Sequence, residues 1–293
     1  MKRIILIIFI VGCVVAAIGL MITRPQRLPA DALAGFEADL DRGKLVYAAM
    51  GCASCHMAPD SDDQSRLPGG KAFLTDFGTF YAPNISSDPE HGIGGWTDEQ
   101  IATAVLRGTS PDNQHYFPVF PYGSYMRGNM SDVVDLVAYL RTLEPDQTPS
   151  RAHEVGFPFN IRASLGGWKL LFTDPDWVIT RNLTEQEARG RLLVEAMGHC
   201  GECHTPRNIF GGMKTDQWLA GAAIPGKKGR TPDLRAPSLG WSAADIVAYL
   251  KTGLTPEYDS AGGEMVDVIA NTSQLPDSDL SAIAAYLLLV DSN

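Results

Sequence analysis

Cys52-Ala-Ser-Cys55-His56 and Cys200-Gly-Glu-Cys203-His204 are the stretches on which the reading of this chain turns. In each, two residues separate a pair of thiols and an imidazole follows at once. Their surroundings repeat too. Gly43-Lys-Leu-Val-Tyr-Ala-Ala-Met50-Gly51 leads into the first, and Gly190-Arg-Leu-Leu-Val-Glu-Ala-Met197-Gly198 leads into the second. Both read as amphipathic helices with a glycine stop. Downstream, Pro83-Asn84-Ile85 answers Pro232-Asp233-Leu234, and Trp96-Thr-Asp-Glu-Gln-Ile101 answers Trp241-Ser-Ala-Ala-Asp-Ile246. Thr97 with Gln100 reads as a capping box, and Ser242 with Asp245 as a weaker version. Gly108 and Gly253 each stand 12 positions after their tryptophan and fit helix C-caps. The stretch from Asp135 to Leu140 and that from Leu280 to Leu287 read as closing amphipathic helices. One three-helix plan is written twice.

C-x-x-C-H is the pattern of covalent haem attachment. Two thiols add to the two vinyl groups of a porphyrin, and two intervening residues place both on one side of the ring. The histidine then lies beneath the iron as an axial ligand. Three other chemistries use the same residues: a disulfide within each pair, a zinc site built from the four thiolates and two imidazoles, and a thioredoxin-like redox motif. A duplicated motif with duplicated flanks favours haem. The remaining cysteine of the five is Cys13, so no pair is left for a structural disulfide. Burial and haem must hold the fold.

Length and charge set the frame. A chain of 293 residues suits two domains. With 45% apolar and 20% charged residues it has the balance of a globular protein. A net charge of −10 argues against nucleic acid, whose phosphates need a cationic surface. It suits a partner that docks through a basic patch. Behind Met1-Lys2-Arg3, the uncharged run from Ile4 to Ile22 is 19 residues long, near the ~20 that a bilayer requires. It exceeds a signal-peptide core and lacks an A-x-A cleavage site. An uncleaved anchor is expected, with Lys2 and Arg3 on the cytoplasmic side, the rest of the chain outside, and Cys13 as a small apolar residue within it. Residues 28–40 read as a tether. Between the repeats, residues 143–186 are too apolar for a floppy linker and are expected to pack between the halves.

Each iron needs a sixth ligand. In the second half Met265, in a glycine-rich loop before the closing helix, is the candidate, with Met213 its rival. In the first half Met130 and Met126 both stand before the closing helix, with His91 and His115 as fallbacks. His199 is too near the attachment site to reach the far side of the iron, and His153 reads as a linker residue. Trp96 and Trp241 recur in register, which suits packing at a haem edge as well as ordinary core packing at a helix start.

The attachment motifs resemble those of class I c-type cytochromes. Together with Phe120-Pro-Tyr-Gly-Ser-Tyr125, Gly166-Gly-Trp-Lys-Leu-Leu-Phe172 and the run from Gly198 to Asn208, they are similar to the cytochrome c subunits of bacterial periplasmic dehydrogenases of the alcohol and gluconate type. That resemblance implies an all-α fold with two tandem cytochrome c domains behind an N-terminal transmembrane helix. The expected divisions are an anchor over 1–27, domains over 28–145 and 185–293, and a connection over 146–184. It implies two covalent haem c groups, and electron relay from a periplasmic dehydrogenase to a downstream cytochrome or terminal oxidase at the inner membrane. Related chains often carry Met-Pro-Tyr where this one has Phe120-Pro121-Tyr122. Phenylalanine cannot bind iron, and similar sequences of this form place a methionine just before the closing helix, which favours Met130. No other catalytic motif is evident. The competing reading is a dihaem enzyme, a thiosulfate dehydrogenase or a peroxidase, with one iron open.

Overall fold

A computed structural model describes residues 1–226 and 228–291. Helix α1 (Lys2–Ile22) is wholly exposed, with mean hydropathy 3.2, and is long and apolar enough to cross a membrane. The chain then turns through residues 23–39, where Leu28 and Leu33 pack on the core, so this tether lies against the fold.

The first half contains α2 (Leu40–Ala49), α3 (Cys52–His56), strands β1 (Ala72–Thr75) and β2 (Gly78–Tyr81), α4 (Asp98–Arg107), α5 (Tyr122–Tyr125) and α6 (Met130–Leu140). After α7 (Ser164–Phe172) come α8 (Glu185–Arg191), which continues as a wider π-helical turn over Leu192–Met197, then α9 (Gly201–His204), α10 (Ala236–Leu239), α11 (Ala243–Thr252), α12 (Met265–Thr272) and α13 (Asp277–Leu287). The molecule is mostly helical but not all-α as expected. Its hairpin pairs Ala72 with Tyr81 and Thr75 with Gly78 in antiparallel register. The run Phe73-Leu-Thr-Asp-Phe-Gly-Thr-Phe80 supplies β-branched and aromatic residues around a two-residue turn, and Gly78 at φ 136° closes it.

Both mid-half helices carry complete capping boxes, Thr97 with Gln100 and Ser242 with Asp245. The second is as complete as the first, because the shorter aspartate still reaches the Ser242 backbone N–H at 2.9 Å. Gly108 and Gly253 close these helices in the left-handed conformation. In each half the first helix crosses the last at a glycine. A Cβ on Gly43 would stand 2.3 Å from the Asp135 carbonyl oxygen, and one on Gly190 would stand 2.0 Å from that of Ala282. Only hydrogen lets these backbones approach so closely.

The second lead-in is one residue longer than the first, because His199 separates Gly198 from Cys200. The helix absorbs the extra residue by widening. Gly198 N–H donates to Leu193 O, five residues back, at 2.7 Å, the bond of a π-bulge. This turn buries Glu195, whose carboxylate accepts from Val178 N–H (2.6 Å), Ile179 N–H (3.1 Å) and Tyr286 Oη–H (2.6 Å). Tyr286 Oη in turn accepts from Trp218 Nε1–H at 3.1 Å. A buried carboxylate is tolerated when its lone pairs are filled in this way, and here it pins the end of the connection to the second half.

Candidate functional site

Helices α3 and α9 carry the two C-x-x-C-H motifs, and the same set of hydrogen bonds recurs around both. His56 Nδ1 lies 2.8 Å from Pro83 O, and His204 Nδ1 lies 2.8 Å from Pro232 O. A carbonyl only accepts, so Nδ1 carries the proton in both rings and Nε2 keeps its lone pair. Burial pushes both imidazoles below their ordinary pKa and favours the neutral form, the form that binds iron. Gly69 N–H donates to His56 O, and Gly221 N–H to His204 O, each at 2.7 Å. Ile85 N–H reaches Leu67 O at 3.0 Å, and Leu234 N–H reaches Leu219 O at 2.9 Å. Gly69 and Gly221, at φ 77° and 73°, have no room for a Cβ against the backbone at the two prolines. Sequence reasoning missed this Leu-x-Gly pair (Leu67-Pro-Gly69 and Leu219-Ala-Gly221); its recurrence between each C-x-x-C-H motif and the following Pro-x-Ile/Leu was the available signal.

No disulfide joins the cysteines. Burial raises Cys52 and Cys200 to about 12 and Cys55 to about 11, against the lowered pKa that suits a thioredoxin-like nucleophile. Among the described residues, no group of three or more His, Cys, Asp and Glu side chains is placed to hold a metal ion, as a zinc site would require. The pairing of free thiols with an Nε2 lone pair beside them fits haem c.

The intervening residues divide their labour. The first of each pair, Ala53 or Gly201, is buried in its own half; a Cβ on Gly201 would stand 2.1 Å from the Trp218 ring. The second reaches the opposite half. Ser54 Oγ donates to Asp267 O at 3.3 Å and accepts from Asn271 Nδ2 at 2.6 Å, both on α12. Glu202 Oε1 accepts from Ser124 Oγ, on α5, at 3.0 Å. Tyr125 Oη donates to Met50 O at 3.1 Å and its ring meets that of His199 edge-on at 5.5 Å. The attachment helices therefore lie at the contact between the halves, close enough that Cys203 helps to raise the Cys55 pKa.

Lys71 bridges the same contact. Its Nζ donates to Ser54 O at 2.9 Å and to Glu264 and Asp267 at 2.8 Å each. Lys71→Met is expected to cost about 1 kcal/mol, the range of partly exposed pairs. A denaturant-midpoint shift that shrinks at high salt checks it; a salt-independent shift would exclude the ion pairs as its cause.

The other candidates fall as follows. Met265 begins α12, and its neighbour Glu264 raises both Cys55 and Cys203. Met130 begins α6 half-buried against the core, and Met126 caps α5. Met213, Trp96 and Trp241 are partly buried on the core, the last edge-on to Tyr249. His115 is tied by Nε2 to Thr23 O at 2.9 Å, where the chain leaves α1, and His153 packs on Phe80 and Phe117.

Paired thiols, an imidazole fixed by a proline carbonyl and a helix cradle around them define a c-type cytochrome. The Cytochrome c family model matches residues 40–144. A protein described as diheme cytochrome c-type, from Cereibacter sphaeroides, is 51% identical over 94% of this chain and 93% of its own length. The chain belongs to the c-type cytochrome family and carries covalently bound haem c. The fructose dehydrogenase cytochrome subunit of Gluconobacter japonicus is 39% identical over 85% of this chain. The cytochrome c subunit of the quinone alcohol dehydrogenase of Gluconobacter oxydans is 35% identical over 86%. The chain spans about half of these two subunits, 52% and 54% of their lengths.

Proposed function

We propose that this chain is a relay with two haem c groups, one bonded to Cys52 and Cys55 above His56, the other to Cys200 and Cys203 above His204. The observation that carries the reading is the crossing of Ser54 and Glu202, by which each attachment helix is hydrogen-bonded to the other half. Bound haem c supplies a one-electron iron couple. The protein's part is to hold each Nε2 lone pair neutral and aimed, to keep water from the buried face of each motif, and to fix one site against the other. The two units are tandem cytochrome c domains over 28–145 and 185–293, with 146–184 as a packed connection. Met265 and Met130 (or Met126) serve as sixth ligands, which would close the irons to substrates, and Trp96 and Trp241 pack at the haem edges.

In this reading α1 anchors the chain in a bacterial inner membrane, with Lys2 and Arg3 inside and both units in the periplasm. A periplasmic dehydrogenase is the donor, supported by relatives that are subunits of fructose and alcohol dehydrogenases. A cytochrome or terminal oxidase is the acceptor, and the net charge of −10 suits a basic docking face. The chain itself is a carrier rather than a catalyst.

Three variants test the ligands. Met265→Ala and Met130→Ala are each expected to remove the methionine–iron charge-transfer band of one haem and to lower its potential. Met126→Ala is expected to leave both bands in place; the reverse result for Met126 and Met130 exchanges their roles. A parent protein with one open iron that turns over thiosulfate or peroxide would make it an enzyme and sink the carrier reading.

A further inference from the structure

Helix α7 leaves an apolar face uncovered. Leu170 and Leu171 are 66% and 73% exposed, and Ile209 and Phe210 beside them are 87% and 62% exposed. The patch is one surface. Trp168 Nε1–H donates to Phe210 O at 2.8 Å, and the Phe172 ring stacks with that of Phe210. Gly211 lies against the Phe77 ring, which meets Phe159 edge-on at 5.1 Å. This extends the patch to residues 157–161, where Phe157 is 83% exposed.

Its position follows from how the chain leaves α1. A Cβ on Gly166, in the first turn of α7, would stand 2.2 Å from Thr23 O, so α7 begins where α1 ends. Leu170 and Leu171 lie about 6–7.5 Å further along, at ~1.5 Å per residue. The junction is tied down: His115 bonds Thr23 O, Arg27 donates to Pro111 O, and Leu28 N–H donates to Thr103 Oγ1 at 3.2 Å. The charge is local as well. Residues 23–28, 155–173 and 207–214 contain six basic residues and no carboxylate; Arg207 is paired with Glu202, and Arg162 and Lys169 are held by backbone carbonyls, which leaves Arg24 and Arg27 as the exposed cations beside the end of α1.

We propose that α7, with residues 157–161 and 209–210, is a second membrane contact that rests in the interfacial layer of the bilayer, beside the point where α1 leaves it. The inference rests on the reading of α1 as an anchor. An apolar face fixed next to a membrane exit meets the headgroup–acyl boundary, into which such faces sink by about 5–10 Å. Arg24 and Arg27, exposed at the membrane exit, suit anionic lipid. The consequence is one fixed orientation of the haem sites over the membrane.

The test uses full-length holoprotein in vesicles of phosphatidylcholine and phosphatidylglycerol that carry a photoactivated diazirine lipid, with adducts mapped by mass spectrometry. Adducts are expected in 2–22, in 155–173 and in 207–214. In Leu170→Ser/Leu171→Ser/Ile209→Ser/Phe210→Ser the last two sets should disappear, while labelling of 2–22 and haem absorption stay unchanged. Adducts confined to 2–22 overturn the proposal and leave the anchor standing. The same pattern, joined to loss of dehydrogenase-driven reduction in the variant, assigns the face to a protein partner instead and also overturns it. Adducts in the patch without any in 2–22 sustain the lipid contact and refute the anchor. Labelling of neither refutes both.

Discussion

Gly190→Ala is expected to destabilise the protein by about 3 kcal/mol, the upper range for overpacking. In an ordinary helix interior the same change is worth up to ~1 kcal/mol in the opposite direction. The sign reverses because the new methyl would stand 2.0 Å from the Ala282 carbonyl oxygen and 2.7 Å from Tyr286 Cβ. The first obstacle is backbone, so α8 and α13 must separate. That movement shifts Tyr286, whose hydroxyl bonds Glu195 and Trp218, and so spreads to the π-turn that leads to Cys200. Gly43→Ala meets the Asp135 carbonyl at 2.3 Å and is expected to act alike in the first half. Gly167→Ala is the control: it is helical with nothing within 4 Å and should be neutral or stabilising by up to about 1 kcal/mol. Denaturant midpoints at unchanged slope check all three. A Gly190→Ala midpoint equal to the parent's would mean that the helices cross less closely than described.

What could be read in advance was local chemistry. The C-x-x-C-H motifs, the Thr97 and Ser242 caps, the Gly108 and Gly253 stops and the apolar run from Ile4 to Ile22 each state their structure within a few residues. What stayed hidden depends on partners far along the chain. Glu195 reads as the polar side of an amphipathic helix; its burial depends on Tyr286 and on the Val178–Ile179 backbone. His199 could be seen as an insertion, but whether a helix widens or a loop lengthens is decided by packing on both sides of it. Ser54 and Glu202 read as spacers between thiols, and only the contact between the halves gives them a task. The hairpin over 72–81 has no turn signal of the Asn-Gly or Asp-Gly kind to announce it, although the alternation of its strands is written in the sequence. The exposed face of α7 was seen as apolar and taken to be filling between the halves; the structure shows that only one side of it fills.

Cys200→Ser/Cys203→Ser is expected to remove one haem from the exported full-length protein and leave the other. Serine has the size of cysteine, but its hydroxyl forms no thioether, so His204 would be left as a single non-covalent tie. Ser54 and Lys71 still hold the first attachment helix to α12, and Cys52, Cys55 and His56 keep all their partners, so the first site should mature normally. Intact mass should fall by one porphyrin adduct, and haem absorbance per chain should halve. Cys52→Ser/Cys55→Ser should give the mirror result, and the fourfold variant no adduct. The single-pair variants should still take up an electron from a chemical reductant but fail to pass electrons from dehydrogenase to acceptor, since a chain of two sites is broken by losing either. The second half should also lose more stability than the serines alone explain, because a covalent porphyrin adds apolar packing to a domain too small to bury much of its own. Loss of both adducts from a single-pair variant would mean one shared site; an unchanged mass would mean that these cysteines do not bind haem at all.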